Sequence, residues 1–129
     1  MAIKNPYQNY RQNSVTTAGP EELVVLMYKG LEKNIKQGML YIRQNNYEKA
    51  NQVLLRGQDI LNELMMSLDM SVGISHQLYT LYDFVLVNLR DGNVEKDCEK
   101  LKDVLGIITG LREAWEGALV SVRQIKYGK

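Results

Sequence analysis

The last quarter of the chain limits the fold more than any other stretch. Leu101, Val104, Ile108, Leu111, Trp115, Ala118, Val122 and Ile125 follow one another at alternating three- and four-residue steps. Such steps keep side chains on one face of a helix, and an unbroken apolar run at those positions makes a packed helical seam. A helix over 94–125 spans roughly 45–50 Å. Its stripe must be covered by partner helices.

Three earlier stretches supply them. Leu23, Leu26, Met27, Leu31, Ile35, Met39 and Ile42 share a face and predict a helix over 20–44. Pro20 suits a first helical position behind Gly19 as N-cap, and Glu21 and Glu22 favour the positive end of the helix dipole. Tyr47, Ala50, Leu54, Gly57, Leu61, Leu64 and Leu68 predict a second helix over 47–69, with Asn46 as its cap. Ile74, Leu78, Leu81, Tyr82, Val85 and Leu89 predict a third over 74–90, capped by Ser71 or Ser75 and ended by Arg90-Asp-Gly-Asn93, a turn-forming run. No segment alternates like a strand. Short connections make consecutive helices antiparallel neighbours, so the expected architecture is an all-α, up-down four-helix bundle over 19–129. Leu23, Tyr28, Leu78, Tyr82, Leu111 and Trp115 are assigned to its structural core.

Residues 1–18 differ. They lack an apolar period, carry Lys4 and Arg11 without an acid, and contain Tyr7 and Tyr10 three residues apart. They read as a cover segment, extended or short-helical, with the tyrosines as anchors on the surface it shields. A net charge of +1 argues against bulk nucleic-acid binding. The single Cys98 excludes an internal disulfide and suits a reducing compartment. The chain has no run of about 18 apolar residues to insert in a membrane and no secretory signal at its start; the expectation is a cytoplasmic protein.

The inventory for catalysis is thin. His76 has no cysteine or carboxylate one helical turn away, no glycine loop would cradle a phosphate, and no Glu-x-x-His pair occurs. Neither an enzyme nor a cofactor or metal site is expected. Glu32 and Lys36 read as an exposed i,i+4 pair. Apolar residues, by contrast, exceed what four seams consume: Val53, Leu55, Ile60, Met65, Met66, Tyr79, Leu86, Leu105, Ile107, Leu119 and Val120 lie beside or off the stripes. Exposed apolar surface marks a binding site. Gly106, Gly110 and Gly117 fall opposite the seam of the last helix and would leave a shallow strip without side chains. From these the candidate binding surface is Leu55, Met65, Met66, Tyr79, Leu86, Gly106, Ile107, Gly110, Gly117 and Val120.

The order of local motifs is also familiar. Tyr7 and Tyr10, Thr17-Ala18-Gly19-Pro20, Leu23, Tyr28-Lys29-Gly30, the run "LYTLYDFVLVNL" and "LREAW" together resemble the flagellin-specific export chaperones, the FliS family, over nearly the whole chain. Gly19 stands where that family usually has serine, and Lys29 where it has an acid. The resemblance implies an antiparallel four-helix bundle in the bacterial cytosol that binds the disordered C-terminal segment of flagellin. It further implies that the chaperone prevents premature polymerisation and delivers subunits to the flagellar export apparatus. A component of the export gate and a co-chaperone are the further partners it implies. The spare apolar surface leaves a homodimer open, and a generic helical adaptor for another protein's amphipathic helix is the competing reading.

Overall fold

The structure is a computed structural model describing residues 19–127, with side chains described through Val120. Four helices account for it: α1 (Pro20–Arg43), α2 (Tyr47–Met66), α3 (Gly73–Glu95) and α4 (Cys98–Tyr127). Each packs on its neighbours in sequence, and α4 closes the ring against α1. This is the antiparallel four-helix bundle that the periodicity implies.

Helix α1 starts as its residues dictate. Gly19 is extended, its carbonyl accepts from the Leu23 amide at 3.0 Å, and Pro20 occupies the first turn where no amide is needed. Asn45, in a left-handed conformation (φ 60), ends the α1–α2 corner, and the Asn46 side chain accepts from the Lys49 amide at 3.3 Å to start α2. Helix α2 stops at Met66, three residues short of the expected end. Asp69 then builds the connection, accepting from the Ser71 hydroxyl at 2.6 Å and its amide at 3.0 Å. Those hydrogen bonds hold the Asp69 carboxyl below its usual range. Neither serine caps α3: its N-cap is Val72, without a side-chain bond, and Ser75 is buried in the first turn.

The run Arg90–Asn93 does not end α3. The helix continues to Glu95 because both turn-forming residues are buried against neighbours. A side chain at Gly92 would meet Leu101 at 2.7 Å, so glycine allows α3 and α4 to close together. The Asn93 amide donates to Asn51 on α2 at 2.8 Å. The reversal falls instead on Lys96, left-handed at φ 52, whose ammonium holds the Asn93 carbonyl at 2.6 Å. Asp97 caps α4 through the Glu99 amide at 3.0 Å and the Lys100 amide at 3.3 Å, which moves that helix's start from the expected 94 to Cys98.

The interior is aliphatic along most of its length, with Leu31, Ile35, Leu54, Leu61, Leu89, Leu101 and Ile108 fully buried. Each such side chain contributes about 1.5–3 kcal/mol by leaving water. Gly38 lets α1 and α2 approach: a Cβ there would meet Leu54 at 2.5 Å. Val53 and Ile60, expected off the seam, are core residues, because the buried face of α2 is wider than one heptad row. Conversely Tyr47 and Ile74, placed on seams by spacing, are exposed at helix ends, where no partner helix reaches them. Of the assigned core, Tyr28, Leu78 and Tyr82 are buried. Leu111 and Trp115 are half-buried and pack against the core from its rim, and Leu23 is half-buried near the start of α1.

Candidate functional site

Glu32 is not a surface partner of Lys36. It is buried on the α1–α4 seam, accepting from Arg112 Nε at 2.6 Å and from Thr109 Oγ1 at 2.7 Å. Arg112 also reaches Glu116 at 2.6 Å, and Lys29 reaches the same carboxylate at 3.4 Å. The Arg112 guanidinium, with help from Lys29, holds the Glu116 carboxyl below its usual range. Its contribution to stability is therefore present at neutral pH and lost as pH falls through the lowered value. This polar lock occupies the α1–α4 seam and leaves apolar surface elsewhere.

That surface centres on α3. Asn51 on α2 bonds Asn93 on α3, which fixes the facing flanks of these helices. Gln58 and Met65 follow Asn51 at seven-residue steps, and Leu86 and Tyr79 precede Asn93 at the same steps. Residues seven apart lie nearly in register along a helix, drifting about 20° per heptad. Met65 and Tyr79 thus stand at one level of the α2–α3 groove, with Leu86 further along and Leu55 on its outer lip. Leu55 and Tyr79 are exposed, whereas Met65 and Leu86 are half-buried against the core and form the floor.

The other candidates separate from these. Thr109, Arg112 and Glu116 mark the α1 flank of α4. Ile107, about 200° around from Thr109, lies on the opposite flank toward α3, half-buried against the core. Gly106, Gly110 and Gly117 are exposed on the outer face of α4, where an added Cβ would meet nothing within 4 Å beyond the adjoining backbone of its own helix and its chain neighbours. Val120 is exposed beside them, and Met66, the last residue of α2, is 81% exposed. Tyr7 and Tyr10 lie outside the described residues. The ten bundle candidates therefore form an α2–α3 groove, an α4 strip, one helix end and, in Ile107, the α3 flank of α4, not a continuous patch.

Between the two sides lies a ridge that the seam positions do not reveal. Phe84, Val87 and Val94 are exposed on α3. Their spacing sets them opposite Leu78, Tyr82, Val85 and Leu89, so they crown a ridge. Phe84 leans toward the α4 flank marked by Gly92 and borders the α3–α4 groove across from Ile107. A helical projection of 73–95 contains this signal: three apolar residues at three- and seven-residue spacing on the face away from the core. It was masked by the stronger seam beneath it.

The glycine strip has a direct test. Replacing Gly106, Gly110 and Gly117 together by alanine should stabilise the bundle by about 2–3 kcal/mol, since each exposed helical glycine costs about 1 kcal/mol relative to alanine. Gly38→Ala should destabilise it, because fully buried Leu54 has nowhere to move. Urea unfolding of both variants checks the pair. A partner affinity unchanged in the triple variant would remove the strip from the binding surface.

Comparison with known proteins agrees with this architecture. The family model of Flagellar protein FliS matches residues 3–122. A flagellar secretion chaperone FliS of Bacillus subtilis is 36% identical over 128 residues, covering 99% of this chain and 96% of its own. Its counterpart in Campylobacter jejuni is 28% identical over 111 residues, covering 84% of this chain and 87% of its own. A crystal structure of a bacterial flagellar chaperone superposes with a TM-score of 0.75 at 18% identity, covering 90% of this chain and 96% of that one, a likeness of fold. Among the described residues no helix is long and apolar enough to cross a membrane. The helical bundle, its order of motifs and the near full-length matches place this chain in the FliS family of flagellar secretion chaperones.

Proposed function

We propose that this chaperone binds the disordered C-terminal segment of flagellin along the grooves on either side of α3. Binding there keeps the subunit from polymerising in the cytosol until it is delivered to the export apparatus. The observation that carries this reading is the exposed apolar ridge Phe84–Val87–Val94 beside the groove rim of Leu55 and Tyr79. A disordered segment loses about 2–5 kcal/mol or more in ordering when it binds. Apolar helix-in-groove contacts offset that cost, whereas a net charge of +1 gives little long-range attraction. The action needs no catalysis and no cofactor. An export-gate component and a co-chaperone are the further partners of this reading.

Residues 1–18 act in it as a tethered competitor. A short tether holds a segment at an effective concentration on the order of millimolar, so weak contacts through Tyr7 and Tyr10 suffice to shield a groove, and a longer client displaces them. Calorimetry with a peptide of the flagellin C-terminus tests both parts. The full chain should bind it, the chain lacking residues 1–16 should bind it more tightly or faster, and Leu55→Asp with Tyr79→Asp should weaken it at least tenfold (about 1.4 kcal/mol or more) without loss of helicity. Equal affinity in the double variant would move the site elsewhere. No binding at all, with capture of another amphipathic helix, would favour the general adaptor.

A further inference from the structure

The α1–α4 groove, diagonally across the bundle from α3, has a basic half. On α1, Lys29, Lys36 and Arg43 follow one another at seven-residue steps, with Lys33 and Leu40 in a second row beside them. Lys29 shows which way this flank points, since it reaches Glu116 of α4 at 3.4 Å. On the opposite bank, Lys102 precedes Thr109, the partner of Glu32, by seven residues and so shares the α1 flank of α4. The helices run antiparallel, with Lys29 beside Glu116 and Met39 beside Cys98. Lys102 therefore falls at the level between Lys36 and Arg43.

These cations have no acid of their own. Lys33, Lys36, Arg43 and Lys102 are exposed, and among the described residues no ion pair engages any of them. The sequence has no Asp or Glu from Lys33 to Tyr47. Glu32, which spacing assigns to Lys36, is held by Arg112 and Thr109 instead. Glu99 and Asp103 precede Gly106 and Gly110 by seven residues and share their outer face, away from the groove. Leu40, 51% exposed, stands among the cations, and Leu105 packs against the core on the α4 side.

We propose that this half-groove docks an acidic amphipathic helix of a protein other than the client. Cations on both banks with an apolar residue between them match a helix that carries carboxylates beside one apolar stripe. Lys33 and Arg43 are separated by about 15 Å along the axis, room for two to three turns of such a helix. Beyond them Glu113 and Glu116 line the groove. They repel a longer polyanion, so the site fits a short acidic helix better than a nucleic acid or a flat anionic bilayer. Helices α1 and α3 each pack on α2 and α4 and sit diagonally in the ring. The docked helix and a client on α3 therefore do not exclude each other.

The probe is a stapled helical peptide of about 14 residues with glutamates flanking leucines on one face, labelled for fluorescence anisotropy against the full chain. It should bind, and raising salt from about 0.05 M to about 0.5 M should weaken it. Its glutamine counterpart should bind at least about tenfold more weakly. Lys36→Glu with Arg43→Glu should cost the glutamate peptide about tenfold or more, and Leu40→Ser should weaken both peptides. All these positions are exposed, and far-UV dichroism checks that each variant keeps its fold. Saturation with the flagellin C-terminal peptide should leave the affinity unchanged. Absence of binding up to about 1 mM, equal binding of the glutamine peptide, or charge reversals without effect would overturn the proposal. So would competition by the flagellin peptide, which would give the groove to the client, or tighter binding of single-stranded DNA or of phosphatidylglycerol vesicles than of the glutamate peptide. Direct titration of the flagellin peptide tests the client site separately, and its failure would leave the acidic-helix result standing.

Discussion

Tyr28→Ala should lower the stability of the bundle by about 3–5 kcal/mol, the cost of truncating a fully buried aromatic. Tyr28 is wholly inaccessible and reaches across the bundle from α1 to α3, where its hydroxyl meets that of Tyr82 at 2.5 Å. The rings meet edge to face at 6.4 Å, and Trp115 on α4 contacts Tyr28 in the same manner at 6.1 Å. One side chain thus joins three helices. Tyr28→Phe separates packing from polarity: it keeps the ring, leaves the Tyr82 hydroxyl buried without its mate, and should cost about 1–3 kcal/mol. Fluorescence of the single tryptophan, Trp115, during denaturant unfolding reads both variants. Burial drives the Tyr28 hydroxyl well above the ordinary 10.0, and burial also raises Tyr82. Both groups therefore keep their protons longer when folded. Their contribution is intact below pH 10.0 and drains away as pH rises toward the folded values. Alkaline unfolding should begin in that window.

Arg112→Met should be the more damaging half of an asymmetric pair. It strands the Glu32 carboxylate, 6% exposed, with Thr109 as its remaining hydrogen-bond donor. An uncompensated buried carboxylate costs on the order of 3 kcal/mol. Glu32→Met strands nothing comparable, because Arg112 keeps Glu116 and part of its contact with water. The variant carrying both changes should recover most of the loss, since apolar residues of similar volume often replace a buried ion pair at little cost. Chemical denaturation of the three variants measures the coupling. Equal losses in both single variants would show that the Glu32 site opens to water when its partner is removed.

The parts of this molecule that follow from local spacing were legible before the structure. Four helices, the Gly19-Pro20 start, the Asn46 cap and the exposure of Leu55, Met66 and Val120 all follow from periodicity and capping chemistry. What escaped depends on contacts distant in sequence. Asp91-Gly92-Asn93 is turn-forming in isolation, yet Leu101 and Asn51 make Gly92 and Asn93 worth burying inside a helix. Glu32 has a lysine four residues on, and nothing local shows that Arg112 arrives from another helix. Trp115 lies on its seam, yet it packs against the core only half-buried. Spacing along single helices shows the lips of the α2–α3 groove but not the ridge of α3. Exposure there depends on which face of each helix the ring of four turns inward.

The two ends of the bundle are built differently. At one, the α1–α2 and α3–α4 corners are closed by left-handed residues, the Asn46 and Asp97 caps and the Asn51–Asn93 bond. At the other, α2 and α3 are joined by the longer stretch 67–72, and Met66, Met70, Val72 and Ile74 are open to water. Few buried contacts mean a low free energy of local opening. Fraying should therefore be graded along the long axis, with one pole clamped and the other breathing. The bundle can open at its loose pole without surrendering the fold at the other.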